Sequence, residues 1–156
     1  MVIQRWQSVL LLVAVVMMGL FSFMSLGQVQ TADFSYNFTA LGLCPEGIPT
    51  SGETPECVST WYLFAVSLLS GLLSLVAIFT FKQYKLQKRM CFLTMLLLCC
   101  VICISAIIGY NTIDGASVSW SSIVCAPFIS LIAVIMAEQR IVADHRKIQA
   151  VDRFRD

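Results

Sequence analysis

The chain has 156 residues, of which 58% are hydrophobic and 12% charged, with a net charge of +1 and a mean hydropathy of +0.84. A soluble domain runs at about 45–50% apolar and roughly 25% charged residues. Those figures exclude a disordered chain, a coiled coil and a nucleic-acid-binding protein, and leave an integral membrane protein as the expectation.

Crossing a hydrocarbon core of roughly 30 Å takes about 20 apolar residues in helix. Four runs meet that length: residues 8–26, 61–81, 91–110 and 118–137. None contains an acid, a base, a histidine or a side-chain amide. A charge at a span centre would cost roughly 2.5–3.5 kcal/mol, so insertion is unopposed. The four spans use half the chain and leave too little for a separate soluble domain. The expectation is one all-α membrane domain over 1–156: an up-down four-helix bundle with an outer loop at 27–60 and a tail helix at 138–156. A cleaved leader competes for the first run, because Arg5 gives a basic start and Ser25-Leu26-Gly27 a small-x-small pattern. The run is longer than the usual 7–15 residues or so of a leader core, which favours a retained helix.

All ten Lys and Arg lie on one side of this four-span scheme. Arg5 precedes the first span. Lys82, Lys85, Lys88 and Arg89 fill the link between the second and third, and Arg140, Arg146, Lys147, Arg153 and Arg155 follow the fourth. With Glu138, Asp144, Asp152 and Asp156, that side carries a net +6. The opposite side holds only Asp33, Glu46, Glu53, Glu56 and Asp114, a net −5. Basic short loops stay in the cytoplasm, so both termini are expected inside. Trp6, Trp61 and Trp120 fall at span boundaries, as do Tyr62, Tyr84 and Tyr110, where amphipathic rings prefer to sit.

The outer loop has recognisable parts. Phe34, Tyr36 and Phe38 alternate with polar residues, a strand-like period, and Pro45, Gly47, Pro49, Gly52 and Pro55 mark turns, so a short β-hairpin is expected there. Cys44 and Cys57 are the two cysteines outside the spans. On an oxidising outer side they should pair, as a structural staple rather than a catalytic couple, because no tuned C-x-x-C surrounds them. Asn37-Phe38-Thr39 matches a glycosylation acceptor.

Cys99, Cys100 and Cys103 lie in the third span, Cys125 in the fourth and Cys91 at the inner boundary. A thiolate in lipid is strongly disfavoured, so these are expected to pack as small hydrophobes. Small residues recur at four-residue spacing: Ser67 and Gly71, Ser70 and Ser74, Ser105 and Gly109, and Ser122, Ala126 and Ser130. Such lines let helix backbones approach closely. Pro127 is expected to kink the fourth span. Lys82, Lys85, Lys88 and Arg89 are candidate contacts to anionic lipid headgroups, besides fixing topology. The tail places Ile141, Ile148, Val151 and Phe154 near one helical face, with Asp144/Lys147 and Asp152/Arg155 spaced for ion pairs. No catalytic, cofactor or metal site is expected; the sole histidine, His145, lies in the tail.

Three stretches together resemble a known family: residues 1–7 (MVIQRWQ), residues 81–91 (FKQYKLQKRMC) and the tail ending VDRFR at 151–155. They look like the short bacterial inner-membrane proteins grouped as domain of unknown function 4293, and the resemblance spans almost the whole chain. It implies a bacterial four-helix membrane protein, and no activity comes with it. The cysteines of the third span depart from that pattern, so any role for them would be this chain's own. The expected function is a non-enzymatic small subunit or assembly factor of a membrane complex, with the bilayer and a membrane protein or a second copy as partners. A membrane thiol–disulfide or quinone-linked oxidoreductase is the alternative. A small transporter is third, since coupled carriers place an acid or histidine inside a span.

Overall fold

The computed structural model describes residues 2–30, 35–46, 57–80, 83–112 and 117–153. Four long helices carry the chain: α1 (Val2–Phe23), α2 (Trp61–Phe79), α3 (Tyr84–Thr112) and α4 (Ala126–Arg153). Each packs on its neighbours in sequence and α4 closes the ring against α1, so the helices run up and down around one core. Buried positions recur at three- and four-residue steps, as one helix face requires. They are Leu11, Ala14, Met18 and Phe21 on α1, and Leu63, Ser67, Ser70, Ser74 and Ala77 on α2. On α3 they are Cys91, Thr94, Leu98 and Val101; on α4, Ser130, Val134, Ala137 and Ile141.

The sheet that forms from the expected loop is larger than a hairpin. Five strands, β1 (Ser25–Gln30), β2 (Ser35–Thr39), β3 (Gly42–Glu46), β4 (Val58–Ser59) and β5 (Ser117–Trp120), form one antiparallel sheet in the order β4-β3-β2-β1-β5. Two span boundaries change as a result. The first helix stops at Phe23, and Ser25 and Leu26 begin β1 with only Met24 between. Residues 118–120 are strand, and a short 3₁₀ turn (Ser122–Cys125) leads into α4. Apolar composition counted these residues as span, but their alternation of Ser117, Val118, Ser119 and Trp120 is a period of two, the mark of a strand. The chain is therefore mainly helical rather than all-α.

Pro127 does not interrupt a helix interior. It sits in the first turn of α4, where Ile123 O already accepts from the Ala126 N–H and proline's missing donor costs nothing. The basic link is also shorter than expected. Helix α3 begins at Tyr84, so Lys85, Lys88 and Arg89 lie on its first two turns. The tail does prolong the fourth helix, to Arg153; the ion pairs expected of its side chains fall outside the described residues.

The connections put β1, β4 and β5 at the end where α1 and α3 finish and α2 and α4 start. The opposite end holds the start of α1, the α2–α3 link and the far end of α4. The bundle thus has a sheet-bearing end and a basic end.

Candidate functional site

The sheet is stitched to the bundle residue by residue. Opposed side chains across β5, β1, β2, β3 and β4 are Trp120, Gly27, Phe38, Leu43 and Val58. Phe38 is buried in the common core and Leu43 packs against it, so this face looks onto the helices. Gly27 carries no side chain between two aromatic neighbours, and the Phe38 and Trp120 rings meet over it edge to face, 6.3 Å apart. A β-carbon on Gly27 would lie 2.8 Å from the Ser119 carbonyl oxygen. A bulge between Ser25 and Gly27 supplies one extra residue, Leu26, whose side chain also enters the core. The Leu26 carbonyl accepts the Ser121 N–H at 2.9 Å, which ties the start of the fourth-helix segment to the end of the first.

Thr60 makes the corresponding tie at α2. Its N–H donates to Leu41 O at 2.9 Å and its hydroxyl to Ala40 O at 3.1 Å, so the hydroxyl anchors the sheet and does not cap the helix it precedes.

On the outward face the row reads Ser119, Gln28, Asn37 and Cys44. Cys44 is joined to Cys57 by a disulfide, as expected, with Cα atoms 4.7 Å apart. Both cysteines are exposed. Asn37, directly opposite Cys44, keeps its Oδ1 buried with no hydrogen-bond partner among the described residues. The alternation was legible in residues 35–38, while Phe34 lies outside the described residues; the unpartnered acceptor beside the disulfide had no sequence signal.

The cysteines of the spans separate into two groups. Cys91 is buried in the bundle, where it packs as a small apolar side chain. Cys99, Cys100, Cys103 and Cys125 are exposed on the outside of the bundle. Cys99, Cys103 and Ala106 follow one another at steps of four and three residues along the outward side of α3. Next to them, at the sheet end, a groove of about 410 Å³ opens between α3 and α4. Ser105, Ala106 and Gly109 line one wall and Val124 and Phe128 the other, with Trp120 and Tyr110 also on its lining. A β-carbon on Gly109 would come within 2.8 Å of the Trp120 ring, so that glycine is where the indole lies against α3.

Of the other small residues, Ser122 is exposed, while those of α2 and the start of α4 pack inside the molecule. Ser67, Ser70 and Ser74 are buried on α2, and Gly71 faces the Met18 side chain of α1. Ser22 and Ser67 hydroxyl oxygens are 2.9 Å apart across that interface, while each also lies within bonding distance of a carbonyl in its own helix, Met18 O and Phe64 O. Ser130 reaches from α4 toward Ala14 O of α1 at 3.5 Å.

At the basic end, Lys85, Lys88 and Arg89 are exposed on α3. Lys82 lies outside the described residues. Between them Gln87 turns inward, and its side-chain amide donates to Ala77 O of α2 at 3.4 Å. The expectation of no metal centre concerns the whole chain; among the described residues no three metal-binding side chains come together.

Four helices are long and apolar enough to cross a membrane: Trp6–Phe23, Trp61–Phe79, Tyr84–Tyr110 and Ser122–Ala143. Only 22–33% of each of these spans is buried, so each also carries apolar side chains on the outside of the bundle. No curated protein matches the chain. A family model described as "Domain of unknown function (DUF4293)" matches residues 3–154, nearly the whole length, and the chain belongs to that family.

Proposed function

We propose that this protein is a multi-pass component of the bacterial inner membrane that acts without catalysis, as a small subunit or assembly factor of a membrane complex. In this reading the sheet lies on the outer side and both termini in the cytoplasm. The carrying observation is the match between what the helices expose and where the charges go. Exposed leucine, isoleucine, valine and phenylalanine cover the helices, as a surface solvated by hydrocarbon would require. The exposed tryptophans and tyrosines lie toward the two ends, with Trp61, Tyr62, Tyr110 and Trp120 near the sheet and Trp6 near the basic end. That is the pattern of two interfacial belts.

Lys85, Lys88 and Arg89 support the orientation for a second reason. Lys85 lies in the first turn of α3, where a cation opposes the helix dipole at about 0.3–1 kcal/mol, and Lys88 and Arg89 follow in the second turn, where the effect fades. Their placement serves something other than the helix, and retention beside anionic headgroups is the role that fits. For the partner, the outward line of Cys99, Cys103 and Ala106 is a stretch of exposed helix with small side chains, where another backbone could come close. A cysteine-directed photo-crosslinker attached to Cys103 in intact membranes should trap one defined membrane protein, or a second copy, in stoichiometric yield. Recovery of uncrosslinked monomer alone overturns the subunit reading.

The exposed Cys44–Cys57 disulfide keeps one second reading in view, a thiol–disulfide oxidoreductase. Replacing both cysteines by serine should then shift the thiol balance of cellular substrate proteins. An unchanged balance removes that reading.

A further inference from the structure

We propose that the Cys44–Cys57 disulfide is a reversible switch on the edge of the outer sheet, with Asn37 as the residue that favours its opened form. Three observations meet at this point. Both cysteines are exposed, so a reductant in solution reaches them. The register places Asn37 directly opposite Cys44 on the neighbouring strand, and opposed side chains on one face of an antiparallel pair have β-carbons about 4.5–5.5 Å apart. Among the described residues, Asn37 Oδ1 is buried and has no donor.

A buried acceptor without a partner carries a desolvation penalty. In the disulfide, Cys44 Sγ has no hydrogen to offer. In the thiol it has one, and S–H is a weak but real donor. Reduction therefore supplies the missing donor next to the orphaned oxygen, and the dithiol form gains relative to the disulfide. Few other bonds hold the strand that the bridge secures. Strand β4 has two residues, paired with Gly42 and Leu43, and it forms one edge of the sheet. The next anchor is Thr60, whose two bonds to Ala40 and Leu41 do not involve β4. Among the described residues, opening the bridge leaves β4 held by its two register pairs and by the Thr60 anchor that follows it. Its departure would bare the outer edge of β3, a row of unpaired N–H and C=O groups able to receive another strand.

The chemistry is ordinary exchange with a dithiol reductant. Its thiolate attacks one sulfur of the bridge, the S–S bond breaks, and a mixed disulfide forms. The second thiol of the reductant then displaces that mixed bond. The reductant leaves as its own disulfide, having given up two electrons and two protons, and Cys44 and Cys57 each end as a thiol. This differs from the oxidoreductase reading above, because the chain is the target and no substrate turns over.

The test uses the full-length protein in lipid nanodiscs, equilibrated with reduced and oxidised dithiothreitol in graded ratios. Cys44 and Cys57 are read individually by differential alkylation and mass spectrometry, so the five free cysteines need not be changed. Asn37→Leu should shift the equilibrium toward the disulfide by about two- to fivefold, the size of one weak hydrogen bond. Gln28→Leu, one strand further from Cys44, should leave it unchanged. No shift in Asn37→Leu, or a shift toward the dithiol, overturns the part assigned to Asn37. Hydrogen exchange of the unmodified protein tests the rest without any substitution. Reduction should speed exchange in β3 and β4 at least tenfold while β1 and β2 stay protected, and equal exchange in the two redox states overturns the switch.

Discussion

A few single positions decide how closely the elements approach. Gly27 and Gly109 both leave room for Trp120, yet they should respond differently to substitution. At Gly27 the added β-carbon meets a backbone oxygen of the adjacent strand, which cannot move without opening the sheet. At Gly109 it meets the outer rim of a part-exposed indole, which can swing away. Gly27→Ala should therefore cost about 1–3 kcal/mol, in the range of overpacking. Gly109→Ala should cost less, because alanine regains up to about 1 kcal/mol of helix propensity. Thermal unfolding in one detergent should rank Gly27→Ala below Gly109→Ala; the reverse order would contradict the assigned contacts. The Ser22–Ser67 pair should also be worth little. Each hydroxyl has one hydrogen and a carbonyl of its own helix within reach, so the bond across the interface competes with those. Ser67→Ala should lower stability by about 0.6 kcal/mol, the average found for such bonds between membrane helices. Ser67→Leu should be far more damaging, because the site is fully buried between two backbones.

Among the elements, the sheet depends on Phe38 and on the disulfide in different ways. Phe38 is the aromatic anchor that the central strand sends into the bundle, and Phe38→Ala should cost about 3–5 kcal/mol. Loss of the bridge acts mainly on the unfolded chain: Cys44 and Cys57 are 13 residues apart, so Cys44→Ser with Cys57→Ser should cost about 3 kcal/mol in the chain-entropy account. Chemical denaturation followed by tryptophan fluorescence measures both, and the Phe38 variant should in addition change the Trp120 signal in the folded state. How far these elements could be read beforehand follows from the same physics. Helices α2 and α3 were plain, because each holds a long uninterrupted apolar run, of a length that suits a helix and is far too long for a strand. Strands β1 and β5 were hidden, since their apolar residues sit against a helix terminus and merge with the spans when counted by composition. The pairing of β1 with β5 joins residues remote in sequence, and no local pattern specifies a long-range register. The disulfide was legible from two cysteines in one loop. The orphaned Asn37 oxygen was not, because it depends on which side chain faces which across a ladder.

For the whole molecule, the separation of charge into two ends is the feature most open to measurement. A single cysteine placed at Lys85 or at the end of α4, in a variant with the native cysteines masked, should react with an impermeant maleimide only after the cytoplasmic side is opened. One placed at Ser119 should react in intact spheroplasts. Labelling of Lys85 and Ser119 positions from the same side would overturn the proposed orientation, although the bundle itself would stand. The four-helix ring, by contrast, was legible as an expectation of up-and-down order, and what sequence could not supply was which helices touch. The closing contact of α1 with α4 depends on small residues such as Ala14, Ala133 and Ala137, which are common in any apolar helix.

The strand order has a consequence for biogenesis. Strand β1 leaves the ribosome with the first helix, but its partner β5 follows much later: the bond from the Ser117 hydroxyl to Gln30 O joins residues 87 apart. Until then the nascent chain carries a half-built ladder with one raw side and a glycine gap where an indole belongs. A polypeptide stopped short of residue 117 would keep that side open permanently. The last hairpin of helices is thus what seals the product, and truncated chains should be the ones that quality-control proteases remove first.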